Sequence, residues 1–218
     1  MMTPARNFYR GTNQPRWIII HDLEYPEVPG AAEWAGSYFA TDVPKSAHYT
    51  VDADSIVQSV SELDGAWHTS GYIQNAEVNR RSIGIEHAGY ARQSASEWND
   101  NYSRRMLERS AALVADIARR HHIPVRWLTP TEIRAGMAGI AGHHDFVIAT
   151  GAGSHVDPGP AFPRDWYIGR VRALQGGGQQ APGVLTAVAI AAVAGATAYA
   201  LLNPEPTRRF VRRFVPGW

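Results

Sequence analysis

The sequence predicts an α/β domain, a mixed central β-sheet flanked by helices, followed by a C-terminal hydrophobic helix. Three observations carry that prediction. Two short apolar runs, Trp17-Ile18-Ile19-Ile20-His21 and Ser82-Ile83-Gly84-Ile85-Glu86, have strand length and composition, and each ends on a titratable residue. Segments of helical spacing are interleaved with them, the longest over 97–120. Residues 184–202 then form a run without a single charge.

Taken in order, residues 1–16 are polar and lack the apolar centre of a signal peptide, so they read as an N-terminal extension. The run 17–21 reads as a buried central strand that delivers His21 to the sheet edge. Trp34, Tyr38 and Phe39 recur at helical spacing over 31–41, and Pro44 lies just beyond. Two strands, 48–51 and 56–60, are joined through the turn-forming Asp52-Ala53-Asp54-Ser55 and predict an antiparallel hairpin. The strand 82–86 alternates apolar residues and ends on Glu86. In the long helix Tyr102, Met106, Leu113 and Ile117 share a face, Ser94 and Glu97 have capping-box spacing, and Pro124 prevents continuation. His121 and His122 close that helix near the negative end of its dipole and receive no further role. A second helix is expected from about Pro163 through Trp166, Tyr167, Ile168 and Val171.

The domain therefore spans 17–174, followed by a Gly-rich flexible linker at 175–183. The uncharged run 184–202 just reaches the roughly 17 to 25 residues of a transmembrane helix. After it, Phe210, Phe214 and Trp218 alternate with Arg208, Arg209, Arg212 and Arg213, a basic aromatic tail suited to a headgroup region. Membrane association through 184–218 is the expectation.

The chain has 218 residues, a formal net charge of +1 and no cysteine. Thiolate metal sites, disulfide scaffolds and cysteine nucleophiles are thereby excluded, and any metal must be held by His, Asp or Glu. The tail carries a balance of +3, which leaves residues 1–202 at −2. Nothing before position 203 forms a basic face able to neutralise phosphates, so nucleic acid is not an expected partner.

Nine histidines are present, and three segments place theirs where sites form: His21 at a strand end, Gly142-His143-His144-Asp145 after a short apolar stretch, and the turn-rich His155-Val156-Asp157-Pro158-Gly159-Pro160. Two imidazoles and a carboxylate make a three-ligand catalytic zinc site with a fourth position for water. His144 is a second candidate ligand, and Asp145 suits a local capping role. His48 and His68, taken alone, read as structural.

Beyond these residues, the stretch from about Arg16 to Val171 resembles the zinc-dependent N-acetylmuramoyl-L-alanine amidases, the family of phage endolysins, muropeptide-recycling amidases and peptidoglycan recognition proteins. The resemblance rests on Trp17-Ile18-Ile19-Ile20-His21, Ser46-Ala47-His48-Tyr49, Gly65-Ala66-Trp67-His68, Asn79 to Glu86, Gly142-His143 and His155 to Phe162. It implies zinc held by His21, His143 and Asp157, with Glu86 as general base. It further implies His155 as oxyanion donor, Trp67 and His68 lining the substrate groove, and Asn79 helping to shape that groove. Asp157 stands where many phage members have Cys, and Ala47 where they have a catalytic Tyr, which places the chain on the Asp-ligand branch. The implied activity is hydrolysis of the amide between N-acetylmuramic acid and L-alanine in peptidoglycan, as a phage or prophage endolysin acting on the wall after the membrane is breached. The competing readings are a peptidoglycan-binding module without catalysis and a membrane-acting lysis protein with an accessory amidase domain.

Overall fold

The computed structural model describes residues 1–176. The expected linker beyond 176, the hydrophobic helix 184–202 and the basic tail 203–218 lie outside the described residues. Among the described residues no helix is long and apolar enough to cross a membrane.

The elements run β1 (Phe8–Tyr9), β2 (Trp17–Asp22), α1 (Ala31–Phe39), β3 (Tyr49–Val51), β4 (Ile56–Gln58), β5 (Gly65–Ala66), β6 (Tyr72–Ile73), β7 (Ala76–Glu77), β8 (Ser82–His87), α2 (Asn101–Arg120), α3 (Pro130–Arg134), β9 (Gly139–Gly142), α4 (His143–Thr150) and α5 (Arg164–Gly176). The central sheet has the order β4-β3-β8-β2-β9. Its pairings are parallel except β3 with β4, which form the expected antiparallel hairpin. The sheet is therefore mixed, with its hairpin at one edge.

Alternation divides β2 and β8 between two cores. Ile18, Ile20, Ile83 and Ile85 face α2 and α5, where Met106, Leu107, Val114, Ile117, Tyr167 and Val171 complete the larger cluster. Trp17 and Ile19 face the opposite way, against Val78, Leu128, Ile133 and Phe146. His21 continues this second row, and the parallel register sets it beside Glu86. Ligands in parallel sheets gather where the strands end, and both residues sit at that end.

The long helix departs from its expected start. Ser94 and Glu97 do make a capping box, with Ser94 N–H to Glu97 Oε2 at 2.7 Å, but it closes only a 3-10 turn at Glu97–Asn99. Extended backbone at Asp100 interrupts the chain, and the Asp100 carboxylate accepts from Ser103 N–H at 2.8 Å to begin α2 afresh. His121 is likewise more than a helix terminus. It meets Glu62 at 2.6 Å, and the same carboxylate accepts from Tyr49 Oη at 2.7 Å and from both terminal nitrogens of Arg120.

Candidate active site

Each of the three proposed ligands is held by a different device. His21 is fixed by the β2 ladder, since β8 and β9 pair with its strand on both sides. His143 opens α4 directly after β9, and Asp145 accepts from Gly142 N–H at 3.0 Å and from Trp127 Nε1 at 2.9 Å, so the capping role expected of Asp145 is the one it has. Asp157 lies on the loop before α5, tied by His144 N–H to its carbonyl at 2.9 Å. The loop needs glycine at 159, where φ is +85° and an added Cβ would lie 1.9 Å from the Ala91 carbonyl oxygen.

The three side chains converge and are buried. His21 Nδ1 lies 3.2 Å from His143 Nδ1 and 3.2 Å from Asp157 Oδ2, and His143 Nδ1 lies 3.2 Å from Asp157 Oδ1. Zinc bonds of about 2.0–2.1 Å in a tetrahedron separate the ligand atoms by about 3.3 Å. The edge between the two imidazole nitrogens matches, and Asp157 presents one oxygen to each of them at the same distance, so the donor set suits such an ion with one vertex left over. His144 is not part of the trio: its Nδ1 is engaged with the His155 carbonyl at 2.9 Å.

Electrostatics keep His21 and Asp157 in ligating form. Burial lowers His21 to about 4 despite the Asp157 carboxylate, so its imidazole is neutral at physiological pH. Burial would raise Asp157, but the imidazoles of His143, His155 and His21 gathered around it together outweigh it and hold the carboxyl well below the usual range. Glu86 is pushed well above its ordinary value, first by burial and then by the negative charge of Asp157, with Lys45 pulling the other way. One of its oxygens, Oε2, is buried without a protein partner. His155 has a 64% exposed side chain, stacks on His143 with ring centroids 4.3 Å apart, and is raised by the Asp157 carboxylate 3.6 Å from its Nδ1.

Of the residues implied to border a groove, two are interior. His68 is only 8% exposed, and its ring lies beneath His21, with Nδ1 2.9 Å from His21 Nε2. Asn79 is buried too. Its Oδ1 accepts from the N–H groups of His68 and Thr69 at 3.2 and 3.0 Å, while its Nδ2 donates to the Thr69 carbonyl at 3.0 Å. Asn79, in the 3-10 turn Val78–Arg80 just before β8, thus ties the segment after β5 to the start of that strand. Trp67 is half-buried, with its ring 5.4 Å from that of Tyr9, and its main chain is bonded to Ser46. Sequence reasoning missed Ser82 and His87, which engage His68 Nε2 at 3.0 Å and the His21 carbonyl at 3.0 Å. The one signal for them was their position on the strand that pairs with His21.

Solved structures of similar fold include a Staphylococcus aureus hydrolase, AmiA, in complex with its ligand, at 15% identity and a TM-score of 0.58, covering 80% of this chain and 81% of that one. A mutant endolysin from Bacillus subtilis matches at 18% identity and a TM-score of 0.55 over 78% of this chain and 97% of that one. The N-acetylmuramoyl-L-alanine amidase LysC from Clostridium intestinale matches at 13% identity and a TM-score of 0.50 over 79% and 97%. No curated protein sequence matches the chain. The family model of N-acetylmuramoyl-L-alanine amidase matches residues 11–160, a span that contains every site residue named above. With that match over most of its length, the chain belongs to the N-acetylmuramoyl-L-alanine amidase family of peptidoglycan hydrolases.

Proposed function

We propose that this chain cleaves the amide joining the lactyl group of N-acetylmuramic acid to L-alanine in peptidoglycan, in the role of a phage or prophage endolysin. The observation that carries the reading is the convergence of two imidazoles and a carboxylate on the sheet face that also carries Glu86, whose Oε2 is buried without a protein partner. His21, His143 and Asp157 would hold zinc. When bound, such an ion supplies a Lewis acid for the scissile carbonyl and lowers the pKa of water from about 16 to about 7.

The remaining work belongs to side chains of this protein. Glu86 accepts the proton of the attacking water through its unpartnered oxygen and returns it to the departing L-alanine amine. A carboxyl raised by burial takes a proton readily, which suits it to the first transfer. His155, exposed beside Asp157 and favoured in its protonated form by that carboxylate, donates to the oxygen that gains charge, a contribution of about 3 kcal/mol for one such donor. The pattern of residues 184–218 supports a further part of the reading, in which this segment brings the enzyme to a membrane and the wall is reached after that membrane is breached.

The test is end-group analysis of purified peptidoglycan treated with the full chain. New L-alanine amino termini are expected without new reducing sugar ends, lost on chelation, restored by zinc and absent with Glu86→Gln. Reducing ends, or wall binding with no new ends, would refute the reading. Sedimentation with lipid vesicles tests the membrane part: full-length protein is expected in the pellet, and recovery wholly in the supernatant would refute it.

A further inference from the structure

Beneath His21 runs a chain of hydrogen bonds whose direction is fixed at its far end. His21 Nε2 lies 2.9 Å from His68 Nδ1, His68 Nε2 lies 3.0 Å from Ser82 Oγ, and Ser82 Oγ lies 2.8 Å from the Val78 carbonyl oxygen. A carbonyl only accepts, so the single hydroxyl proton of Ser82 goes to Val78 and its lone pair receives His68 Nε2–H. His68 Nδ1 is then an acceptor, His21 Nε2 carries the proton, and His21 Nδ1 is bare. In the opposite direction His68 Nδ1 would carry a proton toward His21 Nε2, and the His21 proton would sit on Nδ1, between the three donors.

From this geometry we infer that His68 and Ser82 are positioning residues that hold His21 in the tautomer whose Nδ1 lone pair faces His143 and Asp157. The inference rests on the reading of His21 as a metal ligand. The chain is rigid at each link. The rings of His21 and His68 meet edge to face at 88°. Asn79 holds the main chain of His68. The His48 ring stands 5.6 Å from that of His68, itself locked between Gly84 N–H at 3.0 Å and the Asp64 carbonyl at 3.0 Å. Position 84 must be glycine for the His68 ring to lie where it does, because an added Cβ would come within 2.5 Å of its Cγ. A ligating histidine generally gives its second N–H to a partner that fixes ring and tautomer, and here two side chains extend that partner to a backbone carbonyl.

Two measurements on the full chain test this. In 15N-labelled, zinc-loaded protein, imidazole NMR should show protons on Nε2 of both His21 and His68 and none on His68 Nδ1. In competition with a chromophoric chelator, Ser82→Ala and His68→Leu should weaken zinc binding about 10- to 100-fold. His68→Asn, whose Oδ1 takes the place of Nδ1, should recover most of the loss. A proton on His68 Nδ1 in the loaded protein, or wild-type affinity in folded Ser82→Ala, would overturn the inference. If His68→Leu fails to fold, the wild-type proton pattern and Ser82→Ala still decide. Absence of zinc binding by the unaltered chain would instead refute the metal reading beneath it, and the inference with it.

Discussion

Replacing Glu62 by Gln removes one charge from the junction of the hairpin, the long helix and the segment that leads to β5. In the folded protein this carboxylate is 10% exposed and accepts from Tyr49, Arg120 and His121. Burial alone would raise its pKa, but these bonds, led by Arg120, bring it from 4.5 down to about 2. A folded value below the unfolded one means that the stabilisation is fully present above about pH 4.5 and is lost as pH falls toward 2. The difference corresponds to about 3 kcal/mol at 1.36 kcal/mol for each pH unit. Glu62→Gln keeps the shape and one acceptor, and Arg120 retains Asp116 at 2.7 Å, so no bare buried cation is left behind. For a domain of this size about 3 kcal/mol moves the thermal midpoint by roughly 6–12 °C. Thermal unfolding of wild type and Glu62→Gln from pH 7 to pH 2.5 should show a gap of that size at neutral pH that closes steadily below pH 4.5. A gap that stays constant across the range would refute the assignment to ionised Glu62.

Other substitutions address the site itself. Glu86→Gln should lower turnover on peptidoglycan about 10²- to 10⁴-fold with zinc affinity kept within threefold, and a loss of less than tenfold would remove Glu86 from the acid–base role. Gly84→Ala places a methyl against the His68 ring and should cost about 1–3 kcal/mol in denaturant unfolding, together with at least tenfold in zinc affinity. Gly159→Ala must abandon either its φ of +85° or the contact with Ala91, so the Asp157 loop should shift. The conformational cost alone is about 1–2 kcal/mol, and calorimetry should show zinc binding lost from a folded chain.

Much of the site was legible because it lies where strand patterns are easy to read. The continuous apolar run 17–20 and the alternation in 82–86 assign His21 and Glu86 to strand ends, and parallel pairing then makes them neighbours. The hairpin announced itself through Asp52-Ala53-Asp54-Ser55, where the Asp52 carboxylate accepts from Asp54 and Ser55 N–H at 3.0 and 2.6 Å. By contrast β9 is Gly139-Ile140-Ala141-Gly142, too short and too rich in glycine to carry a strand signal, although it positions His143. The pairs β1 with β5 and β6 with β7 are two residues long and rest on tertiary closure. His68, taken alone, reads as structural, and for it and Asn79 the groove role came from the resemblance; the partners that hold both in the interior lie in distant segments and show only in the folded path. The Glu62 cluster was invisible because Arg120 and His121 lie nearly 60 positions from the carboxylate they meet.

The register of β2 against β8 has a consequence for how activity relates to folding. His21 is adjacent to Glu86 only in the observed pairing, and a slip of one position would send one of the two through to the opposite layer. His143 and Asp157 then arrive from segments more than a hundred residues downstream of His21. A truncated, nascent or mispaired chain thus has the parts of the catalyst but not the catalyst, with no partially folded form of intermediate potency. Completion of the sheet is the step that assembles the site, so within a preparation of any one active variant the activity scales with the fraction of molecules that have finished folding.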